Sequence, residues 1–229
     1  MKILAIDSSN LVMGVAFATD QKVLGELTTN SRKKHSEQLL PAIAQLAESL
    51  DMNLEELDRI AVAYGPGSYT GLRIGVTIAK TLAWTLKKEL VGISSLEIVA
   101  QNGRNFNGYI APFFDARRGQ VFSGLYQSVD GDVVCRQADQ LVMMTDWLTQ
   151  LNALEQPVLF LSNDMTQWQE TLINYQWAIA GGITQNSPRP AELARLGMKR
   201  ETVQDIDHFQ PVYLRMAEAE AKWLANERR

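Results

Sequence analysis

The order of the predicted secondary-structure elements limits the fold of this chain more than any other feature. Three strands come first, at Lys2 to Asp7, Val12 to Ala18 and Val23 to Thr28. A helix, a strand, a second helix, a short strand and a third helix follow. After the polar stretch 102–105 the same order begins again, without any obvious sequence repeat. The order therefore indicates a duplication of one structural unit.

The remaining elements are predicted from apolar periodicity and turn residues. In the first half these are a helix at about 36–50, a strand at 59–64, a helix at about 70–87, a strand at 90–93 and a helix from about 95. In the second half these are strands at 109–114, 120–126 and 133–141, a helix near 145–151, a strand at 158–161, a helix at 166–173, a strand at 177–179 and a helix near 190–196.

This order predicts a mixed sheet in each half. A three-stranded antiparallel ribbon is extended by parallel strands, which need crossover helices. Ribonuclease-H-like units have this plan, and two of them face to face form the actin-like (ASKHA) architecture. We therefore predict a duplicated α/β fold with an N-terminal domain at 1–104 and a C-terminal domain at 105–229. Packing of the last helix, about 213–229, back on the N-terminal domain is left open.

Composition constrains the cellular compartment of the protein and the partners it can bind. Of 229 residues, 46% are hydrophobic and 21% charged, and Cys135 is the single cysteine, so no disulfide can form within the chain. The apolar start is too short for a signal-peptide core, and no stretch is long enough for a membrane span. These features predict a cytoplasmic protein without a membrane partner. The formal net charge of −4 is opposite to that of a chain that holds nucleic acid by itself.

Two segments are candidates for nucleotide binding. Asp7 and Ser8 end the first strand, where actin-like proteins place groups near phosphates and their metal; these residue types also commonly shape a simple hairpin. Gly65, Gly67 and Ser68 join a buried strand to a helix, where backbone amides can hold an anion. The spacing matches neither a Walker motif nor a dinucleotide fingerprint. A tight connection with Ser68 or Thr70 as the helix cap is the alternative.

The helix at about 70–87 carries apolar residues on two sides. One side can pack on the sheet, whereas the other, with Ile74, Ile78 and Leu82, needs a neighbouring helix or a partner subunit.

Metal and nucleophile chemistry has few candidate residues. The two histidines, His35 and His208, are far apart and have no metal-binding spacing. His35 fits a helix N-terminus with Ser36 as the cap. Asp115 ends its strand as Asp7 does, but the following hairpin has arginines where a phosphate loop would have paired glycines.

Several motifs together resemble the bacterial TsaB family, formerly called YeaZ. They occur in the family's order along the chain, and they are ILAIDSS from Ile3, His35-Ser36-Glu37, YGPGSYTGLRIG from Tyr64, Ile93-Ser94-Ser95-Leu96, Asp115-Ala116-Arg117-Arg118-Gly119 and Pro211-Val212-Tyr213-Leu214-Arg215. The stretch 129–200 carries little of the resemblance.

The resemblance implies a duplicated actin-like fold and a non-catalytic scaffold subunit. Its partners would be the catalytic subunit TsaD, which transfers threonylcarbamoyl to a tRNA adenosine, and the small ATPase TsaE. No cofactor would be required by this chain alone, ATP or ADP would be bound in the assembled complex, and tRNA would bind only through the complex. The implied interface uses the N-terminal helices, here with Leu40, Ala44, Ile74, Ile78 and Leu82 as candidates; the same face would form a homodimer without the partner.

Two alternatives stay open from the sequence. The first is a degenerate actin-like enzyme, either a metallopeptidase or a small-molecule kinase. The second is a homodimeric binding protein whose apolar helix face makes a dimer and nothing more. Titration against purified TsaD discriminates between them.

Overall fold

The computed structural model describes residues 1–31 and 34–215. The elements of the first half are β1 Lys2–Asp7, β2 Met13–Thr19, β3 Val23–Thr29, α1 His35–Ser49, β4 Arg59–Gly65, α2 Tyr69–Leu86, β5 Glu89–Ser94 and α3 Ser95–Ala100. The elements of the second half are β6 Tyr109–Asp115, β7 Gln120–Val129, β8 Asp132–Met143, α4 Met144–Asn152, β9 Val158–Leu161, α5 Met165–Leu172, β10 Ala178–Ala180 and α6 Pro190–Lys199.

The two halves build two five-stranded mixed sheets of the same topology. The first has the order β3-β2-β1-β4-β5 and the second β8-β7-β6-β9-β10. In each sheet the first three strands of the half are antiparallel, and the last two are parallel to the first. This topology confirms the predicted duplicated ribonuclease-H-like, actin-like fold. The predicted ranges agree with the observed elements to within a few residues.

One predicted helix cap is wrong. Helix α1 begins at His35, so Ser36 lies inside its first turn, and the residue at the cap position is Lys34, whose side chain makes no capping hydrogen bond. Of the two residues predicted as possible caps of α2, Ser68 and Thr70, Ser68 is the cap, because its side chain accepts a hydrogen bond from the Gly71 amide.

Helices α1 and α2 cover one face of the first sheet. Their buried side chains, including Leu39, Ile43 and Val76, pack with Leu4 and Ile60 of the sheet. In the second sheet, α4 and α5 cover the corresponding face, where Trp147 is fully buried and its indole N–H donates to Ser123 Oγ at 2.9 Å. Burying these apolar side chains supplies the main stabilisation of each unit.

The remaining face of each sheet is covered by a helix from the other half of the chain. Helix α6 packs Leu193 and Ala194 on the first sheet, although the element order puts this helix with the second unit. Helix α3 follows the first sheet, but its Leu96 and Val99 pack on the second. Along the sequence, all strands of the first sheet precede residue 104 and all strands of the second follow residue 105. Helix α6 packs on the sheet of the other half, and α3 packs on both sheets.

The chain after α6 returns along the first sheet as a strap, residues 203–215. The Val203 amide donates to the Leu90 carbonyl at 2.8 Å, and Lys80 Nζ donates to the Phe209 carbonyl at 2.9 Å. The ring of Phe209 stacks on Tyr64 with 5.8 Å between centroids. Residues 213–215 are not helical, and the rest of the predicted helix 213–229 lies outside the described residues.

A carboxylate links the two halves beside α3. Asp139 on β8 accepts hydrogen bonds from Ser94 Oγ at 2.5 Å and from the Tyr126 hydroxyl at 2.6 Å. Ser94 also caps α3 by accepting from the Leu96 and Glu97 amides. Burial raises the pKa of Asp139, and the two hydrogen bonds oppose that shift. The carboxylate therefore connects the helix start to the second sheet.

Asp139→Ala is expected to lower the free energy of unfolding by about 2 kcal/mol, because it leaves the hydroxyls of half-buried Ser94 and buried Tyr126 without their acceptor. Urea denaturation followed by circular dichroism measures this, with Asp207→Ala on the exposed strap as the control. Equal unfolding free energies for the two variants would show that water replaces the carboxylate without cost.

Candidate functional site

The turn after β1 buries the first predicted nucleotide residues. Asp7 is 1% exposed, and its Oδ1 accepts hydrogen bonds from the Ser9 amide at 2.9 Å and the Ser9 hydroxyl at 2.7 Å. Burial raises the pKa of Asp7, although the Ser9 bonds and the nearby His35 act in the opposite direction. Within the described residues, Asp7 Oδ2 has no hydrogen-bond partner. The hydroxyl of Ser8 donates to the Gly71 carbonyl at 2.8 Å.

The glycine-rich loop lies directly on this turn. The Ser68 amide donates to the Ser9 carbonyl at 2.7 Å, and the Gly65 amide donates to Ser95 Oγ at 3.2 Å. A Cβ atom at Gly67 would lie 2.1 Å from the Ser9 carbonyl oxygen, so only glycine permits this approach. Two loop amides are thus bonded to the protein itself.

His35 joins α1 to the same turn. Its Nε2–H donates to the Asn10 carbonyl at 2.8 Å, which fixes the ring at the helix start. Asn10 Oδ1 in turn accepts a hydrogen bond from the Val12 amide at 2.8 Å. The sequence placed His35 at a helix N-terminus, and this contact gives it a structural role there.

A cleft of about 500 Å³ lies between the two sheets. It opens beyond the carboxyl ends of β4, β6 and β9, where α/β sheets commonly bind ligands. Of the five predicted nucleotide residues, Gly67 and Ser68 line the cleft, whereas Asp7, Ser8 and Gly65 do not. Nucleotide binding by these five residues stays a prediction.

The second half contributes charged groups to the cleft. The Asp115 amide donates to Asp164 Oδ2 at 3.0 Å, and the Arg117 amide donates to Asp115 Oδ1 at 3.2 Å. Burial, and to a smaller extent the charge of Asp115, raises the pKa of Asp164. The guanidinium of Arg215 donates to the Ala116 carbonyl. The cleft therefore combines two carboxylates with two arginines rather than a single charge type.

The five predicted interface residues share one face of the first unit. Leu40 is 51% exposed and Ala44 is exposed on α1, whereas Ile74, Ile78 and Leu82 on α2 are half-buried against the core. The role of this face in binding stays a prediction. Sequence reasoning missed Trp84, which is 73% exposed on α2. Its position one helical turn from both Lys80 and Lys87 was the available signal.

Neither a metal cluster nor a membrane helix is found in the described chain. Across residues 1–31 and 34–215, no three His, Cys, Asp or Glu side chains converge as metal ligands. Over the same ranges, no helix combines the length and apolarity needed to cross a bilayer.

The fold and cleft define a protein of the duplicated actin-like class, and comparison with known proteins narrows that class. A sequence model of the family described as "TsaD: tRNA N6-adenosine threonylcarbamoyltransferase" matches residues 22–223. The "tRNA threonylcarbamoyladenosine biosynthesis protein TsaB" of Bacillus subtilis (strain 168) is 47% identical over 231 residues, covering 100% of both chains. The Escherichia coli (strain K12) protein of the same name is 33% identical over 129 residues, covering 56% of this chain and 55% of that protein.

Solved structures agree on the fold. The solved structure "YeaZ from Pseudomonas aeruginosa" superposes with a TM-score of 0.74 at 24% identity, covering 93% of this chain and 99% of that one. The sequence match to the B. subtilis protein, which covers the full length of both chains, shows the family in addition to the fold. The chain belongs to the TsaB (YeaZ) family.

Proposed function

We propose that this chain is a non-catalytic scaffold subunit of the cytoplasmic machinery that adds threonylcarbamoyl to a tRNA adenosine. The observation that carries the proposal is the 47% identity to the B. subtilis protein over the full length of both chains. In this proposal a TsaD-type subunit performs the transfer and a TsaE-type ATPase assists it. This chain needs no cofactor, and ATP or ADP is bound in the assembled complex.

The turn after β1 supports the scaffold role. In a catalytic actin-like protein, the carboxylate at this position must reach a phosphate or its metal. Here the Asp7 carboxylate is turned onto Ser9, and the carbonyls of Ser8 and Ser9 meet the backbone at Gly71 and Gly67. One oxygen of the buried Asp7 carboxylate is therefore used within the turn itself, which favours a binding role over turnover.

The α1–α2 face supports association with the catalytic partner. Leu40 exposes half of its side chain, and Ala44 lies one turn further along α1. Stacking two helices from each subunit would bury this surface together with Ile74, Ile78 and Leu82 in a four-helix interface. In the absence of the partner, the same face would bury itself in a homodimer.

Reconstitution tests the proposal. TsaD and TsaE proteins are mixed with this chain, tRNA, ATP and the threonylcarbamoyl donor, and modified adenosine is measured by mass spectrometry. We expect product with all three proteins, none with this chain alone, and a loss of at least about tenfold when it is omitted. Full product without this chain would refute the proposal, and turnover by this chain alone would support the enzyme alternative.

Binding of tRNA to this chain alone should be weak and salt-sensitive, since its net charge is −4.

A further inference from the structure

The strap is attached to the first half of the chain by contacts at its surface. The Val212 amide donates to the Tyr64 carbonyl at 2.8 Å, and Lys80 Nζ donates to the carbonyls of Asp207 and Phe209, each at 2.9 Å. None of the strap residues is buried, since each is exposed or half-buried. A segment with few buried contacts has low local stability, so the strap can detach at a lower cost than the sheet beneath it.

The strap nevertheless fits closely against the first sheet. A Cβ atom at Gly65 would lie 2.4 Å from the Val212 carbonyl oxygen, and a Cβ atom at Gly92 would lie 2.7 Å from Cζ of the Phe209 ring. At Gly65 the opposing atom belongs to the backbone, so only glycine leaves room for the strap there. These contacts define one seated position for the strap.

The end of the strap crosses from the first half of the chain to the second. The ring centroid of Tyr213 lies 4.9 Å from that of Tyr69 at the start of α2. The next residue, Leu214, packs against the apolar cluster of the second sheet, and the guanidinium of Arg215 donates to the Ala116 carbonyl in the β6–β7 turn. These strap residues line the cleft, so within three residues the strap joins its two sides.

The two halves are joined more firmly beside α3 and α6. Val99 of α3 is fully buried in the apolar cluster of the second sheet, and Leu193 of α6 is fully buried in that of the first. The strap has no side chain buried to this extent. Two lobes that are joined firmly on one side and weakly on another can move about the firm side as a hinge.

We propose that the strap is a latch: while it is seated, it holds the two halves at one spacing across the cleft, and its release lets that spacing vary. The moving part is the segment 209–215, between the Lys80 contact on α2 and the Ala116 contact on the second half. Because its last residues line the cleft, release also exposes more of the cleft wall. The latch therefore controls access to the cleft. This inference does not rest on the proposed function.

Amide hydrogen exchange of the full chain, followed by NMR, measures release of the strap. Lys80→Met removes the ammonium that holds two strap carbonyls, and Phe209→Ala removes the ring that stacks on Tyr64. We expect the Val212 amide to exchange at least about tenfold faster in each variant. Lys22→Met, in the exposed turn between β2 and β3, is the matched control and should leave this exchange rate unchanged. Wild-type exchange of Val212 in both strap variants would overturn the latch.

Double electron–electron resonance measures the spacing of the halves. Cys135 is replaced by serine, and spin labels are attached to cysteines introduced at exposed Glu55 in the first half and exposed Gln150 in the second. Dilution with unlabelled protein restricts the measurement to distances within one chain. We expect a narrow distance distribution for the seated strap, and one at least about twofold broader when Lys80→Met and Phe209→Ala are combined. An unchanged distribution despite faster exchange of the strap amides would show that the strap does not set the spacing.

Arg215→Ala separates the bridge across the cleft from the seat on the first sheet. This variant removes the contact with Ala116 and leaves the contacts at Lys80 and Tyr64 in place. It should broaden the distance distribution, while the Val203 amide at the other end of the strap keeps its wild-type exchange rate. A folded Arg215→Ala protein with the wild-type distribution would contradict the bridging role of the strap.

Discussion

Leu40→Glu is expected to weaken binding to a TsaD-type partner at least about thirtyfold, equivalent to about 2 kcal/mol, while the protein stays folded. The side chain is 51% exposed in this chain, so a carboxylate there remains hydrated before association. In the four-helix interface that we propose, the same carboxylate would be desolvated without a cationic partner. Surface plasmon resonance measures the affinity, and analytical ultracentrifugation measures the expected loss of the homodimer.

The control for Leu40→Glu is Ile183→Glu. Ile183 is 91% exposed and lies in the second half of the chain, away from the α1–α2 face. Its replacement by glutamate also puts a carboxylate in place of an exposed aliphatic side chain. Ile183→Glu should leave the affinity for the TsaD-type partner and the affinity of the homodimer unchanged. Ile78→Glu is a less clean probe, because Ile78 is half-buried against the core and its charge also costs folding stability. Wild-type affinity of a folded Leu40→Glu protein would show that the partner binds elsewhere.

Gly71→Ala is expected to lower the free energy of unfolding by about 3 kcal/mol or to prevent folding. A Cβ atom at this position would lie 2.1 Å from the Ser8 carbonyl oxygen, which belongs to the backbone and cannot rotate away. The β1–β2 turn would have to separate from the start of α2. Without this contact, alanine in a helix would stabilise the protein by up to about 1 kcal/mol. Urea denaturation provides the measurement.

Gly182→Ala is the matched control for Gly71→Ala. The nearest atom to a Cβ at Gly182 is Gln185 Oε1 at 3.5 Å, which is ordinary van der Waals contact at the end of a flexible side chain. We expect a change within about 0.5 kcal/mol. If the two variants unfolded at the same urea concentration, the tight approach of the turn to α2 would not be a determinant of stability.

The sequence predicted the secondary-structure elements and the fold class, because these depend on local residue patterns. Alternating or continuous apolar runs located the strands, and the repeated element order gave the duplicated fold. Ser68 was one of the two residues, with Thr70, proposed as the cap of α2, and it is the cap in the structure. Pairing across the fold could not be read in this way. The contact of Asp139 with Ser94 joins residues on different sheets, and nothing in either local segment specifies the other.

The candidate site was only partly predictable for the same reason. The glycine-rich loop was placed correctly at a strand-to-helix junction, but burial of Asp7 depends on how closely the loop approaches the turn. The contact between the Tyr69 and Tyr213 rings depends on the strap returning past the start of α2 from a distant part of the sequence. The partner face and nucleotide binding at the β1 turn stay predictions until the binding experiments are done.

The exchange of α3 and α6 makes the two halves of the chain mutually dependent. Helix α6 of the second half covers most of one face of the first sheet, and α3 of the first half packs on the second sheet as well as on its own, as exchanged elements do in a domain-swapped dimer. A single ancestral unit with this layout would have exposed an apolar sheet face and would have needed a second copy to cover it. Duplication and fusion would then have converted an association between chains into an intramolecular contact that dilution cannot reverse.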